Sequence, residues 1–208
     1  MKQIIAIGDS NTWGLVPGSY PHERYPWGIR WTSILQEKNE DIRIVEEGLC
    51  GRTTVFEDEL RAGRKAVTSL ETMLESHFPL DGAILMLGTN DCKTYYNASS
   101  YVIGKGIEKC LDIIEKFVSP DKILLISPIH LGDDVWHPEK DPEFSKKSVK
   151  TSKELKELYR NIAQIRGNAF LSASDIVKAS PVDDEHLNEE GHRTFALAVD
   201  QALEGIIQ

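Results

Sequence analysis

Five short, mainly apolar runs punctuate the chain, at 4–7, 42–45 (where Arg43 intervenes), 84–87, 123–126 and, more weakly, 169–171. Their Ile, Val and Leu content and lack of polar alternation predict strands of a parallel sheet, covered on both faces. Between the runs the period becomes helical. Ala66, Val67, Leu70, Met73 and Leu74 share one helical face, as do Ile103, Ile107, Cys110, Leu111, Ile114 and Phe117. A third helix carries Leu155, Leu158, Tyr159, Ile162 and Ile165, with Thr151 and Glu154 spaced as a capping box at its start. The last carries Phe195, Ala198, Val199, Ala202 and Ile206, with Glu189 and Glu190 placed favourably for its dipole. This alternation, with right-handed crossovers, predicts an α/β protein: a three-layer α/β/α sandwich around five parallel strands in the order 2-1-3-4-5.

No repeat, low-complexity tract or linker interrupts the pattern. A length of 208 residues suffices for one substantial core, so a single domain over 1–208 is expected. Two connections are long, 14–27 and 128–148. Both follow strands that end on one edge of the sheet, and they are read as pocket walls. The net charge of −9 argues against nucleic acid and anionic membranes as partners. No apolar run approaches the ~20 residues of a bilayer span, so no stable membrane insertion is expected. The apolar start is too short for a secretory signal, and Cys50, Cys92 and Cys110 have no metal-type spacing; reduced thiols in a cytoplasmic protein are the expectation.

Open α/β sheets place ligand chemistry beyond the carboxyl ends of their strands. There the first run leads into Gly8-Asp9-Ser10, the second into a stretch from Glu47 to Thr54 containing Gly51-Arg52, and the third into Gly88-Thr89-Asn90-Asp91. Late in the chain comes Asp183-Asp184-Glu185-His186. By position alone Ser10 is either a nucleophile or the cap of the next helix. Together, a serine, a glycine turn, an amide side chain and an Asp/His pair are the parts that acyl transfer needs.

Over essentially its whole length the sequence resembles the SGNH hydrolases, or GDSL-type esterases. Their four blocks match Ser10, Gly51, Asn90 and His186, and the Asp-x-x-His element matches Asp183 and His186. Residues 8–14, 47–54 and 86–91 look most like the arylesterase and acyltransferase branch. The resemblance implies a flavodoxin-like SGNH hydrolase fold and a serine esterase with no cofactor and no metal. Its substrates would be small-molecule esters with short acyl chains and aryl or simple alkyl alcohols. Acyl transfer, carbohydrate deacetylation, thioester cleavage and lysophospholipid hydrolysis remain alternatives, as does a homo-oligomer. It implies Ser10 as nucleophile, His186 as base and Asp183 as the orienting acid. The Ser10 and Gly51 N–H groups and the Asn90 amide would form an oxyanion hole. Asn11 departs from the family's usual Leu; with Trp13 it is expected to contact substrate. Trp27, Trp31 and Trp136 are read either as aromatic walls or as core.

Competing signals are weaker. His192 and Asp184 are the rival base and acid. Asp9 is read as shaping the serine turn, and Arg52, Thr53, Asp58 and Arg61 as structural pairs. His130, Asp133, Asp134 and His137 match no metal spacing. Cys50 and Cys92 flank oxyanion positions without occupying the serine's place. Gly104-Lys105-Gly106 lacks a third glycine, and Ser10 lacks a Gly-x-Ser-x-Gly setting. A binding protein with a degenerate hydrolase pocket is the rival outside enzymes.

Overall fold

The computed structural model describes residues 1–19 and 21–206. Residue 20 of the 14–27 connection and residues 207 and 208 of the expected domain lie outside them. Five strands, β1 (Lys2–Gly8), β2 (Ile42–Gly48), β3 (Gly82–Met86), β4 (Ile123–Ser127) and β5 (Ala169–Ser172), form one all-parallel sheet in the order β2-β1-β3-β4-β5. Six helices accompany them: α1 (Ser10–Trp13), α2 (Trp31–Lys38), α3 (Ala66–Ser76), α4 (Ser100–Ile114), α5 (Lys146–Arg166) and α6 (Glu189–Glu204).

The unbroken apolar runs of β1, β3 and β4 follow from burial on both faces, while the edge strand β2 is only partly buried and carries Arg43. Ile5, Ile7, Leu85 and Leu125 point to one side, into a core shared with Leu70 and Leu74 of α3, Ile107 of α4 and Leu155 of α5. Ile4, Ala6, Ile84 and Leu124 point to the other, against Trp31 and Leu35 of α2 and Phe195 and Val199 of α6. Neighbouring residues of one strand thus feed separate cores, the period-2 rule of a pleated sheet. Among the described residues no helix is long and apolar enough to cross a membrane. All three cysteines are free.

The helices differ from expectation in three places. The helix expected near Thr151 begins at Lys146, and its capping box is Ser145 with Ser148, so Thr151 lies inside it. Ile165, assigned to its apolar face, is exposed. The α2 helix had no counterpart in the periodicity. The side chain of its cap residue, Arg30, does not cap the helix but bonds Glu46 and the Tyr25 carbonyl; the Trp31 N–H donates to His192 Nδ1 of α6, at 3.3 Å.

β1 pairs with β2 on one side and β3 on the other, so the chain reverses its direction of winding there. At such a switch point the loops after adjacent strands part and leave a crevice. Ser10 follows β1 and Asn90 opens the 3₁₀ turn after β3.

Candidate active site

Asp9 follows the first strand and caps α1, its carboxylate accepting the Asn11 N–H at 3.0 Å. Ser10 is therefore the first residue of a helix rather than its cap, and the four-residue helix stops at Gly14, whose φ is 87°. A turn this tight needs a close neighbour without a side chain: a Cβ on Gly48 would lie 2.2 Å from the Trp13 nitrogen.

The Ser10 Oγ lies 2.9 Å from His186 Nε2, and His186 Nδ1 lies 2.8 Å from Asp183 Oδ2. Asp183 also accepts the N–H groups of Glu185 and His186, each at 3.0 Å, and of Gly18 at 3.0 Å. Burial alone would raise its pKa, but the bonds to His186 and these amides outweigh burial and hold the carboxyl below the usual range. For His186, burial works against the charged form. The Glu185 and Asp183 carboxyls override it and push its pKa up to about 9.

Braces hold the other segments to this row. Arg52 donates to the carbonyls of Gly8 and Glu47, joining the ends of β1 and β2. Buried Asp91 accepts the Thr54 N–H at 3.0 Å, tying the third block to the second. Asn90 Nδ2 donates to the Arg52 carbonyl at 3.2 Å, and an amide nitrogen carries a second N–H. Gly51 has φ 80°, a left-handed conformation that glycine adopts without strain. Ser10, Gly51, Asn90 and His186 all line one cavity of about 90 Å³.

The walls come partly from the two long connections, through Leu15 and His22 of one and Asp141 and Glu143 of the other. Arg61, Lys93 and Glu185 complete them, and sequence reasoning had given none of the three a place there. The only local signal for Glu185 was its place beside His186. Lys93 pairs with Glu143, and Arg61 with Asp58 and Glu143.

Asn11 and Trp13 are not among the lining residues described. The Asn11 amide donates to the Glu185 carbonyl at 3.2 Å and accepts the Leu187 N–H at 2.9 Å, so it clasps the segment around His186 instead of lining the cavity. Trp13 lies under the Arg24 guanidinium. Trp31 packs edge-on against Phe195 in the core, Trp136 lies under Lys146, and Trp27 is exposed beside Arg30. Asp184 is drawn away to Lys140, and His192 is sealed in the core, so neither rival serves the triad geometry. Cys50 lines the cavity, but burial pushes its thiol up to about 11, which keeps it from acting as a thiolate. Among the described residues no group of His, Cys, Asp and Glu is arranged to hold a metal.

Residues 6–194 match the model of the GDSL-like lipase/acylhydrolase family. The structure is similar to that of an aryl esterase from M. smegmatis, with TM-score 0.91, 29% identity and coverage of 99% of this chain and 100% of that one. It is also similar to a carbohydrate acetylesterase from Sinorhizobium meliloti, with TM-score 0.87, 32% identity and the same coverage. A carbohydrate acetylesterase family member from Sinorhizobium meliloti gives TM-score 0.88 and 28% identity over 100% of this chain and 99% of that one. No curated protein sequence matches the chain.

Proposed function

The chain belongs to the GDSL-like lipase/acylhydrolase family, and on that premise we propose that it is a serine esterase cleaving short-chain carboxylic esters through an acyl-enzyme on Ser10. The observation that carries this reading is the continuous row from Ser10 Oγ to His186 to Asp183, with contacts of 2.9 and 2.8 Å.

In this mechanism His186 Nε2 takes the Ser10 proton as Oγ attacks the ester carbon, and Asp183 stabilises the imidazolium. The Ser10 and Gly51 N–H groups and Asn90 Nδ2 receive the negative oxygen of the tetrahedral intermediate. Ser10 opens α1, where the first N–H groups have no partner within the helix. Collapse expels the alcohol, protonated by His186. Water, giving its proton to the same nitrogen, then attacks the acyl-enzyme and releases the acid. A competing alcohol in place of water makes the reaction an acyl transfer. The cavity beside Ser10, about 90 Å³, is small, which favours a short acyl group. The similar aryl esterase and carbohydrate acetylesterase support the same bond class.

The test is turnover of p-nitrophenyl acetate by wild type and Ser10→Ala. The expected loss is at least ~10³-fold with the fold retained. Equal low rates in both proteins would point to a binding protein instead.

A further inference from the structure

The triad segment carries one buried carboxyl that the mechanism above does not use. Glu185 is 5% exposed and lines the cavity beside Ser10. Its backbone is held on both sides: the N–H donates to Asp183 Oδ1 at 3.0 Å, and the carbonyl accepts from Asn11 Nδ2 at 3.2 Å. Its Oε1 lies 3.7 Å from His186 Nε2. Among the described residues, no N–H or O–H is within hydrogen-bond distance of the carboxyl itself. The cations of the same cavity are engaged elsewhere, Lys93 by Glu143 and Arg61 by Asp58 and Glu143. The carboxyl opens onto the cavity, so its donors come from outside the chain: water, or a substrate group that takes the water's place.

Its position says which part of a substrate it would meet. His186 Nε2 returns its proton to the leaving alcohol, so the alcohol oxygen must come within hydrogen-bond reach of that nitrogen. Glu185, close to the same atom, then lies beside the first carbons of the alcohol. A hydroxyl on the neighbouring carbon can bond to it; an alkyl chain there strips the carboxyl of water and returns nothing. A cation is the other partner a carboxyl accepts, and a choline ester distinguishes it from a hydroxyl.

We propose that Glu185 selects the alcohol released by this enzyme: it receives a hydroxyl vicinal to the scissile ester oxygen, so monoesters of 1,2-diols are preferred over esters of plain alcohols. The proposal rests on the Ser10 esterase reading. It is tested by kcat/KM for 2-hydroxyethyl acetate and its near-isostere propyl acetate, in wild type, Glu185→Met and Glu185→Gln, with Ser10→Ala as blank. Wild type is expected to favour the hydroxyl ester by about 10–100-fold. Glu185→Met should abolish the preference, and Glu185→Gln, which still accepts a hydrogen bond, should restore part of it. If Glu185→Met does not fold, Glu185→Ala reads the same ratio. A preference unchanged by the apolar variant overturns the proposal while the Ser10 chemistry stands. Turnover of acetylcholine that falls further than that of the hydroxyl ester in Glu185→Met overturns it in favour of a cation. Wild-type turnover of both esters at the Ser10→Ala level overturns the proposal and the esterase reading together.

Discussion

His186 is pulled two ways, and the balance sets its working range. Burial favours the neutral ring, but Glu185 first and then Asp183 and Asp9 favour the cation and bring its pKa to about 9. A base must be neutral to accept a proton, so kcat/KM for p-nitrophenyl acetate should still be climbing with pH above neutrality. Glu185→Gln removes the leading carboxylate and should move that limb to lower pH; a limb that stays in place would contradict the balance. Asn90→Ala should lower kcat by ~10²–10³ while costing only about 1 kcal/mol of stability, the loss of its buried bond to the Arg52 carbonyl. A loss below tenfold would remove Asn90 from the oxyanion hole. Ser10, Asp183 and His186 could be singled out in the sequence because a serine just past a strand and an Asp-x-x-His pair stand out locally, and the structure brings the three within hydrogen-bond distance. Asn11 was misread because its amide bonds backbone more than 170 residues away, which no local spacing records. Glu185 was passed over because it looked like ordinary turn polarity beside a more conspicuous histidine.

The second helix shows the limit of periodicity at the scale of the element. Its start lacks a Ser, Thr, Asp or Asn cap, and the acceptor that replaces one is a histidine 161 residues downstream. The first signal for α5 misled in the opposite way: Thr151 and Glu154 mimic a box, while the true box at Ser145 and Ser148 precedes a lysine-rich turn that hides the apolar period. The strands were legible because burial on both faces leaves little room for polar residues. The borrowed cap has a measurable cost in acid. Burial pushes His192 down to about 3, and its Nδ1 can accept the Trp31 N–H only when unprotonated. The unfolded chain binds this proton near pH 6.5 and the native state does not, so stability is full above that pH and declines as pH falls towards 3. Urea midpoints at pH 7 and pH 5 should differ less in His192→Gln than in wild type; equal differences would exclude this role. Trp31→Ala should cost ~3–5 kcal/mol in the same measurement, because the fully buried indole anchors α2 against Phe195.

For the whole molecule, the strand order and the convergence of four distant segments were both readable, since alternation of strand and helix permits few windings and each segment follows a strand or precedes the last helix. The depth of the cavity and the charge of its walls were not, because they depend on how the 14–27 and 128–148 connections fold back. As the site segments are fastened to one another around one sheet, by Arg52, Asp91 and Asn11, tryptophan fluorescence and esterase activity should be lost at the same urea concentration; an earlier loss of activity would mean that the site can come apart while the sheet persists. The Asn11 clasp bears on how such an enzyme can change. One side chain adjoins the nucleophile and grips the main chain on either side of the base. An altered residue there disturbs both partners of the reaction at once, with no intermediate version that spares either. New substrate ranges, whether reached by natural drift or in the laboratory, should therefore enter through Arg61 and Lys93, whose ion pairs with Glu143 hold the wall of the cavity and touch neither Ser10 nor His186.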